Sequence, residues 1–117
     1  MRPLPASHHL FVYGTLANPA VCAGLLGRVP RPVPARLRGY ARHEVRGEAY
    51  PAIVAKSNGL VKGIVYEDIS QTELDALDAY EGDEYGRIGV FVETETNRIQ
   101  VWVYVWAGGT ERLGPEA

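Results

Sequence analysis

A chain of 117 residues is long enough for one hydrophobic core and too short for two domains of ordinary size, so a single domain over 1–117 is expected. With 46% hydrophobic and 22% charged residues the composition is globular, and a formal net charge of −2 argues against a partner gripped through its phosphate backbone, so no nucleic acid is expected. The lone cysteine cannot close an internal disulfide, no N-terminal run has signal-peptide order, and no apolar run reaches the ~20 residues of a spanning helix, so a cytoplasmic protein without a membrane partner is expected.

Met1–Ser7 and the stretch from Gly108 onward are rich in Gly and Pro and are expected to lack regular structure, leaving a core of about 9–106. The run from about His9 to Tyr13 predicts a first strand flanked by the turn Thr15-Leu16-Ala17. Asn18 fits an N-cap with Pro19 at the first helical position, and Gly27 fits the left-handed stop. Pro30, Pro32 and Pro34 predict an extended connector, followed by strand-like alternation over Ala35–Tyr40 that His43–Arg46 can continue. Pro51–Ala55 and Leu60–Tyr66 flank Ser57-Asn58-Gly59, which predicts a hairpin reversing at Asn58-Gly59. Ser70-Gln71-Thr72-Glu73 fits a capping box, after which Leu74, Leu77 and Tyr80 line one face of a helix that stops at Gly82.

Ile88–Glu95 and Arg98–Trp106 predict a second hairpin across Thr96-Asn97. In its last strand Ile99, Val101, Val103 and Val105 occupy one face while Trp102, Tyr104 and Trp106 occupy the other, which predicts burial on both sides. Five or six strands with two short helices and few helical crossovers predict an α+β domain whose sheet curls into a small barrel.

Two features carry chemistry. The strand that runs into Tyr13-Gly14-Thr15-Leu16 releases backbone N–H groups from sheet pairing beside a helix N-terminus, a cradle for an anion. Far along the chain Glu81 stands as a lone carboxyl just past the second helix. Read alone, Glu81 also fits a solvated residue or a partner for Arg87, and the turn fits a plain strand-to-helix connection. Cys22, beside Val21, Leu25 and Leu26, reads as core. His8 and His9 are adjacent and face opposite ways in an extended segment, so no metal site is expected. Asp75 and Asp78 read as a solvated acidic face, and Arg36, Arg38, Arg42 and Arg46 as strand-surface charges.

Val12-Tyr13-Gly14-Thr15-Leu16, Tyr50-Pro51-Ala52-Ile53-Val54, Gly63-Ile64-Val65-Tyr66, the run Glu73–Glu81 and Tyr85-Gly86-Arg87 follow one another between about His9 and Trp106. In that order they resemble the gamma-glutamylcyclotransferase-like superfamily, in particular the branch of plant avirulence-induced-gene-like proteins and bacterial relatives. The resemblance implies a small mixed β-barrel with short flanking helices and a cavity where the turn faces the glutamate after the second helix. It also implies an enzyme that needs no cofactor, releasing 5-oxoproline from a gamma-glutamyl amine or gamma-glutamyl amino acid. Tyr13, Gly14, Thr15 and Leu16 would bind substrate, Glu81 would be the catalytic general acid/base, and Tyr85 and Arg87 are further matched positions for substrate binding.

Such a site is chemically sufficient, because the substrate's own α-amine attacks its own side-chain carbonyl and only a folded conformation and a proton carrier are required. An ordinary Glu near pKa ~4.3 is a poor base at neutral pH, so partial burial raising Glu81 toward ~6 to 7 is expected. Gly14 is expected to supply a positive φ or close backbone approach. The expected partner is a small-molecule gamma-glutamyl substrate. A ligand-binding or regulatory module without turnover, and an amide hydrolase using the same pocket, are the alternatives; the leaving amine and the oligomeric state stay open.

Overall fold

The computed structural model describes residues 8–117; the expectation for Met1–Ser7 lies outside them. Alternating apolar side chains in β1 (His8–Val12) serve two cores at once. Phe11 and Tyr13 point to one cluster, with Leu37 of β2 (Pro32–Val45), Ile53 and Val65 of β3 (Pro51–Ile69), Val92 of β4 (Tyr85–Glu93) and Val101 and Val103 of β5 (Arg98–Trp106). Because all five strands contribute, this cluster is the interior of a barrel.

Leu10 and Val12 point outward, where α1 (Pro19–Leu26) and α2 (Gln71–Glu81) cover them with Leu16, Cys22, Leu74 and Leu77. Val101 and Val103 of β5 face the interior while Tyr104 joins the helix-side cluster, so the two-sided burial expected for this strand is found.

The sheet runs β3-β1-β5-β4-β2, and pairing of β2 with β3 closes it, leaving β6 (Leu113–Glu116) on the far side of β2. β1 and β5 are parallel through Leu10 and Trp102, whereas the other ladders are antiparallel, so the barrel is mixed. The β4–β5 hairpin is in register from Tyr85↔Trp106 to Glu93↔Arg98. It begins earlier than the expected Ile88.

The hairpin expected at Asn58-Gly59 does not form. β3 continues through both residues and pairs along β2 from Pro32↔Tyr66 to Glu44↔Pro51. The register shifts where Arg38↔Leu60 gives way to Tyr40↔Ala55, so residues 56–59 bulge opposite Gly39. Asn58 has φ 64° and Gly39 φ 89°, the same left-handed freedom that a tight hairpin uses. Gly59 is required by space, since a Cβ there would lie 2.3 Å from the Tyr40 carbonyl oxygen. The chain reverses instead after Val45, where the Glu48 N–H bonds the Val45 carbonyl at 3.0 Å and Gly47 takes φ 77°.

Both helices start and stop where their end residues dictate. The Asn18 side chain accepts from the Ala20 N–H at 2.9 Å, and Gly27 closes α1 in the left-handed region at φ 75°. Ser70 and Glu73 form the reciprocal capping box of α2. Glu73 also takes a bidentate bond from Arg28, both contacts at 2.8 Å, which holds its carboxyl down at about 2 and ties the end of α1 to the start of α2.

The stretch from Gly108, expected to be irregular, instead forms a 3-10 turn at Thr110–Arg112 and then β6, paired to β2 at His43↔Glu116 and Val45↔Leu113. Leu113 packs near Val45, Ala52 and Trp106, an apolar anchor hidden among the glycines. No helix among the described residues is long and apolar enough to cross a membrane.

Candidate active site

β1 delivers the turn to the end of the barrel. Its ladder with β3 ends at Val12↔Ile64, and the next carbonyls turn to other donors. The Tyr13 carbonyl accepts from Arg42 Nη1 at 2.8 Å, Gly14 from the Ala17 N–H at 2.9 Å, Thr15 from the Asn18 N–H at 3.0 Å and Leu16 from the Tyr66 hydroxyl at 2.8 Å. Four successive carbonyls are thereby fixed. The N–H groups of Gly14, Thr15 and Leu16 have no acceptor among the described residues, and all three residues line one cavity. Free donors in succession form an anion-binding concavity.

Gly14 is not the left-handed residue expected. Its φ is −129°, and the close backbone approach also expected of it is what Pro51 imposes: a Cβ would lie 2.7 Å from the proline Cγ and 2.8 Å from Cδ. Tyr50 and Pro51 form the facing wall. The Tyr85 hydroxyl donates to the Pro51 carbonyl at 2.8 Å, and the Tyr50 hydroxyl to Glu84 Oε1 at 3.1 Å, while Arg112 of the C-terminal 3-10 turn pairs with Glu84. Of these supports, Glu84 and Arg112 carry no signal in the sequence.

Glu81 enters the same cavity from the last residue of α2, inside the helix rather than past it. It is half-buried, and among the described residues its carboxyl has neither an ion pair nor a hydrogen-bond donor. Burial pushes it up to about 7. Tyr13, Tyr85 and Tyr104 surround it; desolvation raises all three phenols, so they stay protonated around the carboxyl at neutral pH. The Tyr13 hydroxyl bonds the Tyr104 carbonyl at 2.6 Å, locking the cavity floor. The cavity offers about 30 Å³ and opens to solvent, so a ligand larger than a few atoms extends through its mouth.

Of the sequence-predicted positions, Tyr13, Gly14, Thr15, Leu16, Glu81 and Tyr85 meet at this cavity, and Arg87 does not. Its guanidinium bonds Asp78 at 2.7 and 3.1 Å and lies 4.3 Å above the Trp102 ring. Asp78 also accepts from the Tyr104 hydroxyl at 2.7 Å. Its carboxyl is held below the usual range by Arg87 first and then by Tyr104, so the reading of Asp78 as part of a solvated acidic face is corrected. Arg42, read as a surface charge, serves the turn instead. Cys22 is buried, as expected of core. Among the described residues no group of three or more His, Cys, Asp or Glu could hold a metal.

A closed five-strand mixed barrel with an added strand and two short helices defines the gamma-glutamyl cyclotransferase-like fold: a solved gamma-glutamyl cyclotransferase superposes with a TM-score of 0.75 at 19% identity, over 96% of this chain and 72% of that one. The family model described as gamma-glutamyl cyclotransferase, AIG2-like matches residues 10–116, and the chain belongs to that family. Protein AIG2 C of Arabidopsis thaliana is 42% identical over 104 residues, 87% of this chain and 63% of its own length, so this chain spans less than two thirds of that relative. The solution structure of an Arabidopsis thaliana protein superposes with a TM-score of 0.80 at 40% identity, over 91% of this chain and 66% of that one.

Proposed function

We propose that this protein is a cytoplasmic gamma-glutamyl cyclotransferase that releases 5-oxoproline from a small gamma-glutamyl amine or gamma-glutamyl amino acid. The observation that carries the reading is a half-buried carboxyl, Glu81, unpartnered among the described residues, sharing a cavity with the N–H groups of Gly14, Thr15 and Leu16, which have no acceptor among those residues. In this reading Glu81 takes a proton from the substrate's α-ammonium. The freed amine attacks the side-chain carbonyl carbon, the new C–N bond closes the five-membered ring, and the oxyanion and the α-carboxylate rest on the turn's N–H groups. Glu81 then returns that proton to the departing amine as the old C–N bond breaks, and the ring nitrogen gives its remaining extra proton to the freed amine, which leaves as an ammonium. A carboxyl poised near neutrality suits both transfers, since it is neither too weak a base nor too weak an acid. The leaving amine extends through the mouth.

A second reading, a ligand-binding module without turnover, is favoured by the Arabidopsis relative, whose name states no reaction. Incubation with a panel of gamma-glutamyl amines and dipeptides separates them. Release of 5-oxoproline supports the cyclotransferase, free glutamate supports amide hydrolysis, and thermal stabilisation by ligands without product supports the module.

A further inference from the structure

Arg28, Arg38, Arg87 and Arg112 each meet a carboxylate, whereas Arg42, like Arg46, pairs with none among the described residues although Glu44 and Glu48 line the same groove. It spends its 2.8 Å bond on a main-chain carbonyl, that of Tyr13. This is the carbonyl at which the chain leaves the β1–β3 ladder, and the next three are served by neutral donors. β2 sets the reach, because Arg42 stands opposite Ile53 in the β2–β3 ladder, near the Pro51 that presses on Gly14. Arg42 lines the open groove of about 1000 Å³ beside the cavity, and not the cavity itself.

We propose that Arg42 is a positioning residue: by holding the Tyr13 carbonyl it fixes the Tyr13–Gly14 peptide so that the Gly14 N–H is aimed at the reacting group. The peptide is planar and trans, so its C=O and N–H point opposite ways, and a carbonyl pinned toward the groove turns the Gly14 N–H away from it. A charged donor on the carbonyl also polarises the unit, making that N–H a stronger donor.

The inference rests on the cyclotransferase reading for its kinetic consequence and not for its geometry, and the test is built on that division. In Arg42→Met we expect kcat to fall roughly 10- to 100-fold, less than deletion of a whole oxyanion donor, with KM changed less than about 3-fold. Arg42→Lys should retain more activity than Arg42→Met, added guanidinium should restore part of the lost kcat, and the pH profile set by Glu81 should not move. Independently of turnover, the Gly14 amide resonance in 1H–15N spectra should shift to weaker hydrogen-bond character in Arg42→Met, with fold and thermal midpoint nearly unchanged. A rise in KM at constant kcat would mean that Arg42 grips substrate directly and would overturn the proposal, as would an unmoved Gly14 amide. If wild-type protein releases no 5-oxoproline while that resonance still responds, the cyclotransferase reading falls and the clamp stands.

Discussion

Glu81 is costly to hold where it is. A carboxyl half-buried among three phenols, with no cation paired to it among the described residues, prefers its proton, and its pKa rises from 4.5 to about 7 on burial. Between those two values the folded protein keeps a proton that the unfolded chain has released, so stability falls as pH rises through the window and levels off above it. Glu81→Gln removes that titration. Thermal denaturation across a pH series should show the variant gaining on wild type as pH climbs from below 4.5 to above 7, and a gap independent of pH would contradict this. Gly14 is demanded by space. Gly14→Ala should cost about 1 to 3 kcal/mol and most of the activity, because the new methyl meets Pro51. Adding Pro51→Ala should recover part of both losses, a non-additivity that a double-mutant cycle reads directly.

At the scale of elements the site is held by what lies behind it. Asp78 stands three residues before Glu81 on α2, tied by Arg87 to β4 and by Tyr104 to β5, so the helix end that carries the acid cannot drift from the barrel. Arg87→Met should cost roughly 1 kcal/mol, the bond being charge-assisted but partly exposed. It should also lower kcat more than it changes KM; steady-state kinetics showing the reverse would place Arg87 on the substrate. Local signals of capping were legible in the sequence: Asn18, Pro19, Gly27, Ser70 and Glu73 act within one turn of themselves and do what their side chains imply. Asn58-Gly59 was misread because a left-handed residue serves a bulge as well as a hairpin, and only the partner strand decides between them. Arg42, Tyr104 and Asp78 were missed for a related reason. Their partners lie 29, 91 and 9 residues away, and strand register, not spacing, brings them together.

The barrel includes a pairing of strands far apart in the chain, β1 beside β5, where Leu10 meets Trp102. Such non-local pairing must be reached before the barrel interior can be buried, so refolding should take milliseconds to seconds. Stopped-flow fluorescence of Trp102 and Trp106 measures it, and complete recovery within microseconds would contradict the topology argument. Closure also creates the site, since the turn of residues 14–16, the wall at Pro51 and the acid at Glu81 come from three separate stretches of chain. The most direct test is to follow 5-oxoproline release from a gamma-glutamyl substrate by wild-type protein and by Glu81→Gln, with the variant's fold verified by its 1H–15N spectrum. The account predicts ring product from wild type and a loss of roughly 10²- to 10⁴-fold in the folded variant; undiminished product from that variant would contradict it.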